Sequence, residues 1–427
     1  MIAPEPFFEP RGTPFSEFHR IRALTALGHQ VDLVTYPFGS EVSMPGLRVF
    51  RCLRPPFVRR VKIGPSLAKI PLDMFLACSV ARRALSGRYD AVHSHEEGAL
   101  IGAAVAMLMR TPHLYDMHSS LPQQLSNFAF SRSRILKRIF VAIERFMIRR
   151  SRVVVVICPA LEAQVRAIDP QAHTLVIENS PGSVADDAPP ADAAAIRGAL
   201  GVGAATPLVL YTGTFEAYQG LDGLFEAMAV VRRARPDVRL VLVGGHADQI
   251  ERARAQAHTA GVGSATIFAG ERPAAEIPAF LRAADVLVSP RSRGTNTPLK
   301  IYQYLRAGKP IVATRLLTHT QVLSDQTAFL TGSTPPEFAQ GILAALNDWQ
   351  RADANGRQAR ELADTKYSDA AYLERTREAC EALFAPRSPV STNRLAPRDG
   401  EGAERGTGGP VSDPGAPTGR NVRRRVV

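Results

Sequence analysis

The chain has 427 residues, with 52 Lys and Arg against 40 Asp and Glu, a net charge of +12, and 45 % hydrophobic residues. At roughly 100–200 residues per domain this predicts two or three domains, each with its own core, and excludes a mainly disordered chain. Four scattered cysteines without a CxxC pair (Cys52, Cys78, Cys158, Cys380) exclude a disulfide framework or zinc ribbon and fit a reducing compartment, so a cytoplasmic location is expected.

The N-terminus, MIAPEPFFEPRGTP, lacks the basic-then-apolar pattern of a signal peptide. The best apolar stretch, Gly98 to Met109, falls short of the ~20 residues that span a bilayer. From Arg387 onward there are eight Arg and four acids, so the tail holds +4 of the charge and the body +8. A positive body favours anionic partners: phosphates, nucleic acid or an anionic membrane face.

In chain order, Met1–Ala3 reads as the end of a first strand, short either in itself or because of where the chain begins. A turn at Pro10–Pro14 follows, then a helix over Phe15–Leu27. Strands are predicted at His29–Tyr36, Ala91–His95, Pro112–His118 and Arg152–Cys158. In the second half they fall at Leu208–Thr212, Val238–Val243, Ala265–Ala269, Val286–Ser289 and Pro310–Thr314. Helical segments such as Gly220–Ala234 and Pro298–Ala307 lie between them. This alternation implies parallel sheets covered on both faces, the doubly wound α/β class.

The Ala/Pro/Gly-rich stretch after Ser180 marks a seam. The expected layout is a Rossmann-like domain at 1–180 and a second at 181–366, with a linker at 181–206. A C-terminal helix at 367–385 would pack back on the first domain, and a Pro/Gly/Arg-rich tail at 386–427 would be disordered. Open α/β sheets bind ligands outside the carboxyl ends of their strands. Two such domains facing each other would form one interdomain cleft.

Three segments carry candidate chemistry. Gly12 and Thr13 lie at a strand-to-helix turn, where backbone N–H groups can approach a phosphate; the alternative is an ordinary turn. His118 ends a strand at the cleft edge, beside His93 and His95 of the preceding strand. It suits a sugar hydroxyl or proton transfer, with metal binding by the three histidines, or plain satisfied polar residues, as alternatives. In Ser289–Thr314, Thr297 is predicted to cap a helix that starts at Pro298. Lys300 would then lie in the first turn, where a cation opposes the helix dipole unless an anion also sits there. Gln303 and Tyr304 share its face.

Taken together, APEPFFEPRGTP, GHQVDLVTYP, HSHEEG, PHLYDMHSSLP, VIENSP, YTGTFEAYQGLD, VLVGG, FAG and AADVLVSPR…PLKIYQYLRAGKPIVAT resemble a family 4 glycosyltransferase, over residues 1–385. The resemblance implies the two-domain GT-B fold and retaining transfer from a nucleotide diphosphate sugar, UDP- or GDP-linked, with no other cofactor. It places Gly12 and Thr13 at the donor diphosphate and His118 at the donor sugar. Gly213, Thr214, Glu216 and Gln219 follow the second domain's first strand. Arg291, Thr295, Asn296 and Thr297 border sugar and base, and the helix start near Pro298 and Leu299 holds phosphate.

Departures from the family pattern are equally specific. Its two glutamates fall at Thr295 and Gln303, and its Arg and Lys fall at Thr214 and Gln219. Gln303 can still bond a ribose hydroxyl. Lys300, with Arg291 or Arg293, is then the candidate for neutralising the diphosphate. No Asp-x-Asp occurs in the chain, which fits a site without a metal.

The acceptor is expected to be a glycan or a lipid-linked hydroxyl. Two basic and apolar segments, Val58–Pro65 and Ser131–Arg150, suit an anionic membrane face, and a peripheral position on the inner face is the corresponding expectation. Nucleic acid is not an expected partner, since no recognition module appears. Two alternatives remain in the sequence: a non-catalytic relative that binds glycan or membrane, and a nucleotide-sugar epimerase relying on Glu96, Glu97 or Glu216.

Overall fold

The structure is a computed structural model and describes residues 1–8, 12–58, 69–122, 133–178, 192–386 and 425–426. The first domain contains β1 (Ile2–Ala3), α1 (Gly12–Ala26), β2 (Gln30–Thr35), β3 (Leu47–Arg51) and α2 (Lys69–Ser86). It continues through β4 (Val92–His95), α3 (Gly98–Met109), β5 (His113–Met117), α4 (Arg134–Arg150), β6 (Val153–Val156), α5 (Pro159–Ile168) and β7 (Thr174–Val176). After the short helix α6 (Ala193–Ala199), capped by Asp192, the second domain begins with β8 (Leu208–Thr212), α7 (Leu221–Ala234), β9 (Arg239–Val243) and α8 (Ala247–Thr259). It closes with β10 (Thr266–Gly270), α9 (Ile277–Ala283), β11 (Val286–Ser289), α10 (Leu299–Ala307), β12 (Ile311–Thr314), α11 (Leu317–Thr320), β13 (Phe329–Thr331), α12 (Pro335–Asn347) and α13 (Trp349–Thr365). Helix α14 (Asp369–Phe384) follows, and β14 (Arg425–Val426) is the described part of the tail.

Every strand pair is parallel. The second sheet runs β10-β9-β8-β11-β12-β13, and the first runs β2-β1-β4-β5-β6-β7, with β3 and β14 both against β2. The strand order therefore reverses between β1 and β4 and between β8 and β11, the two places where a doubly wound sheet opens a crevice. The doubly wound α/β class is borne out in both domains. Strands such as Val153–Val156 are buried throughout, as a sheet covered on both faces requires.

Five details differ from the sequence expectations. Gly12, Thr13 and Pro14, expected in a turn, are the first residues of α1. The strand at Ile2–Ala3 lies between β2 and β4 in the centre of its sheet. Leu47–Arg51, Thr174–Val176 and Phe329–Thr331 are strands that the sequence reading passed over, because five or three residues leave too little periodicity to read. Helix α10 is capped by Pro298 (φ −65°, ψ 138°) and not by Thr297, and its first helical residue is Leu299. Thr297 is 5 % exposed and lies beside Cys158 of the first domain. Finally, Arg425 and Val426 pair with Gln30 and Val31, so the last described residues of the tail form a strand. Residues 181–191 of the linker, most of the tail, Arg11, Val58–Pro65 beyond its first residue, and the start of Ser131–Arg150 lie outside the described residues.

Helix α14 lies on the first sheet. Tyr372, Ala379 and Leu383 share a core with Ala23, Leu114, Val153 and Val155. At its foot Glu178 receives both Arg375 (2.9 Å) and Lys366 (3.3 Å).

Candidate active site

The first-domain half of the site forms at the carboxyl ends of β1, β4 and β5. Asp116 is wholly buried, and its Oδ1 lies 3.2 Å from His118 Nε2. Its Oδ2 accepts from Arg20 Nε of α1 at 2.9 Å and lies 3.4 Å from His93 Nε2. The rings of His93 and His95 stack at 4.9 Å, and that of His95 lies 5.5 Å from His118.

Burial, the largest influence on Asp116, favours the neutral acid. Arg20, then His95 and His118, outweigh it and hold the carboxyl well below its ordinary range. Burial conversely pushes His93 and His95 down, so both stay neutral. Glu17, also buried, is pushed well up by burial and by the neighbouring Glu5, and is protonated. Among the described residues His93, His95 and Asp116 are the group whose ligand atoms approach within 4.8 Å. Arg20 already occupies the Asp116 oxygen that a cation would need and supplies the compensating positive charge.

Above this floor Glu96 adopts a left-handed backbone (φ 46°) and accepts from Ser119 Oγ at 2.9 Å, while Glu97 pairs with Lys69 at 2.6 Å. Burial, then Glu97, raises the Glu96 carboxyl well above its ordinary value. Gly12 and Thr13 form the first turn of α1, so that helix N-terminus stands at the β1/β4 opening.

The second-domain half gathers around Lys300. Its ammonium is buried, 3.7 Å over the Tyr211 ring and 3.4 Å from Gln219 Oε1. Burial, then the nearby Arg291, drives it well below the ordinary lysine value. Gly213 is required here: its φ is +130°, and a Cβ would come within 3.2 Å of Lys300 Nζ. Gln219 Nε2 reaches Thr214 Oγ1 at 3.5 Å. The positions where the family carries Arg and Lys are thus polar and neutral, and Lys300 brings a cation to the same place from α10.

Arg291 is 5.0 Å over the Tyr218 ring and donates through Nη1 to Asn296 O (2.7 Å) and Thr318 Oγ1 (2.9 Å). Burial lowers it too. Arg293 is exposed. Gln303 is half-buried one turn beyond Lys300, and the hydroxyl of Tyr304 accepts from the Thr212 amide at 3.0 Å. Glu216 accepts from Gln249 Nε2 (2.9 Å) and lines a cavity of about 370 Å³ with Phe215, Asp222 and Arg252.

The two halves meet directly. Asn296 Nδ2 donates to the carbonyl of His118 at 2.6 Å. Gln321 donates to Thr295 O (2.6 Å) while its Oε1 accepts from the Ala160 amide of α5 (2.9 Å). The structure therefore brings His118, Thr295, Asn296, Thr297 and Arg291 to one cleft, and holds Gly213, Thr214, Gln219 and Lys300 together on its second-domain wall. The sequence reading missed Arg20, Asp116 as an anchor, and Gln321. A basic residue at one point of an amphipathic helix and an acid inside a strand carry no local signal of pairing.

Comparison with known proteins fits this geometry. Residues 19–180 match the model of a glycosyl transferase 4-like domain, and residues 206–348 match that of glycosyl transferases group 1. A D-inositol 3-phosphate glycosyltransferase of Segniliparus rotundus is 32 % identical over 187 residues, which are 43 % of this chain and 41 % of that relative. A phosphatidyl-myo-inositol mannosyltransferase of Mycobacterium tuberculosis is 25 % identical over 82 % of this chain and 87 % of its own. The Anabaena protein HepE, solved in complex with UDP and glucose, superimposes with a TM-score of 0.69 at 20 % identity, covering 89 % of this chain and 98 % of its own. The chain, with a GT-B fold of two Rossmann-like domains, belongs to the family 4 glycosyltransferases.

Proposed function

We propose that the protein transfers a hexose, with retention, from a UDP- or GDP-linked sugar to a hydroxyl of a glycan or a lipid-linked acceptor, without a divalent metal. The observation that carries this reading is the buried Lys300 ammonium at the mouth of β8, joined through the Asn296 loop to His118. A buried ammonium whose contacts among the described residues are a ring face and an amide oxygen gains strongly from an anion. A diphosphate placed between Lys300, Arg291 and the amino end of α10 would be neutralised by two cations and a helix terminus. The acceptor hydroxyl would then attack the anomeric carbon from the side the diphosphate leaves, and the leaving oxygen would take its proton. His118 would hold the donor sugar through a ring nitrogen. The UDP found with a structural neighbour supports a nucleotide donor, and the lipid named for one relative supports a lipid-linked acceptor.

The same reading places the enzyme on an anionic membrane. Among the described residues no helix is long and apolar enough to cross a bilayer. Ile135 and Ile139 are exposed on α4 beside a groove of about 470 Å³ lined by Arg134, Lys137, Arg138 and Arg145. Apolar anchors beside cations suit a surface of acidic lipid headgroups.

The test is a thermal-shift panel of UDP, GDP, ADP and their sugar conjugates, with and without EDTA, on the full chain. A ligand that binds only the folded protein raises the midpoint. A shift for one nucleotide that EDTA leaves unchanged is expected. A shift abolished by EDTA would remove the metal-free reading, and no shift at all would favour a non-catalytic relative.

A further inference from the structure

Arg20 is a charged side chain with 4 % exposure, and all of its described polar contacts are internal. Its Nε donates to Asp116 Oδ2, and its Nη1 donates to Thr376 Oγ1 at 2.9 Å. Its guanidinium lies 4.9 Å over the ring of Tyr372. Thr376 and Tyr372 belong to α14, the helix that returns to the first domain after the second is complete. The other oxygen of Asp116 lies 3.2 Å from His118 Nε2, a close ionic approach in which the two atoms do not meet hydrogen-bond geometry. One continuous chain therefore runs from the last described helix of the protein, through α1 and β5, to His118.

We propose that Arg20, anchored by Thr376, is the positioning residue for His118. Fixed at both ends, the guanidinium holds one Asp116 oxygen and so turns the other toward His118 Nε2. A carboxylate there favours the proton on Nε2, which leaves Nδ1 as the acceptor for a sugar hydroxyl. Without the anchor the carboxylate is free to turn toward His93 or His95, 3.4 and 3.9 Å from its Oδ2. The groups facing His118 are Asp116 from its own strand end, Glu5 after β1, and His95 of β4 with Glu17 and Arg20 of α1 behind it. Of these, Asp116 and Arg20 are the fixed charges: burial holds Glu17 and His95 neutral, and burial raises the Glu5 carboxyl above its ordinary value. Substrate binding on the second domain and the integrity of α14 on the first are thereby read at one imidazole.

The inference rests on the glycosyl-transfer reading for its consequence in turnover, but its primary test needs no substrate. In full-length protein labelled with 15N-histidine, the imidazole signals of His118 are assigned by loss in His118→Gln, and the tautomer is read by NMR from the two ring nitrogens. Thr376→Val removes one hydrogen bond at the anchor, and Arg20→Lys keeps the charge but not the fork. Both variants are expected to lower the Nε2–H tautomer fraction of His118, read from its ring nitrogen shifts. The His319 signals, in the second domain, should stay in place. If UDP-sugar hydrolysis is measurable, kcat should fall with the donor KM within about twofold. Should Arg20→Lys fail to fold, Thr376→Val decides alone. A folded Thr376→Val whose His118 keeps the tautomer fraction of the parent overturns the proposal. An inert nucleotide panel with a normal His118 response would instead overturn the transferase reading and leave the relay standing.

Discussion

The side-chain amide of Asn296 donates to the main-chain carbonyl of His118 at 2.6 Å, across the cleft and 178 residues apart in the chain. The bond places the loop that follows β11 directly over the end of β5, so each domain contributes an edge to the other's binding surface. Gln321 acts beside it by holding both Thr295 and the first turn of α5.

Removing this clasp tests whether the closed arrangement is the working one. Each neutral hydrogen bond contributes about 0.5–1.5 kcal/mol. Asn296→Ala should therefore lower kcat/KM by roughly two- to tenfold, with thermal stability of the separate domains little changed. Small-angle scattering should show a larger radius of gyration for Asn296→Ala with Gln321→Ala than for either alone. An unchanged radius and unchanged kinetics would show that these contacts do not hold the domains together.

Lys300 couples donor binding to protonation. Burial and Arg291 depress it in the free protein, and an adjacent diphosphate would raise it again. Nucleotide binding then takes up a proton wherever the pH lies above the depressed value and below the restored one. Calorimetry of UDP at about pH 8.5, above the ionisation of the terminal phosphate, in buffers of different ionisation heat, should show uptake of up to one proton. Lys300→Met should abolish the uptake and weaken UDP by about 1.5–3 kcal/mol, the range for a hydrogen bond to a charged group. The same uptake in Lys300→Met would move the coupling elsewhere.

Acid stability follows from buried neutral histidines. Burial takes His113 down to about 3, with Ser94 and Ser151 hydroxyls on its two nitrogens, and takes His319 to about 4. Between these values and the ordinary 6.5 the unfolded chain binds protons that the folded chain does not. Stability is therefore full above about pH 6.5 and falls as the pH drops, by about 1.4 kcal/mol per unit for each such group. The raised carboxyls, such as Asp73 at about 6, act in the opposite sense, so the net slope is not diagnostic. The difference between parent and His113→Gln is: urea midpoints measured from pH 7 to pH 4 should fall less steeply in the variant. Parallel curves would show that His113 is not buried neutral.

Much of the architecture was legible before the fold. Runs such as Leu208–Thr212 and Val286–Ser289 coincide with observed strands, because a strand buried on both faces must be continuously apolar. Gly308 ends α10 with φ 65°, as a glycine after a periodic segment signals. Lys300 stands out in the sequence because a cation in a helix's first turn opposes the helix dipole unless an anion sits there. The sequence did not show that the lysine is buried against Tyr211, since that depends on β8 lying beside β11.

What the sequence determined by itself is what local chemistry can encode: strand and helix alternation, the parallel sheets, the family motifs and the neutral residues at Thr214, Gln219, Thr295 and Gln303. The tertiary structure alone decided which charges meet. Arg20 finds Asp116 at a separation of 96 residues and Thr376 at 356, and no periodicity spans such distances. Thr297 lies beside Cys158 of the other domain, and Pro298 takes the cap of α10. Pairings of this kind are set by the packing of whole elements, and burial then fixes their strength by removing the water that would screen them.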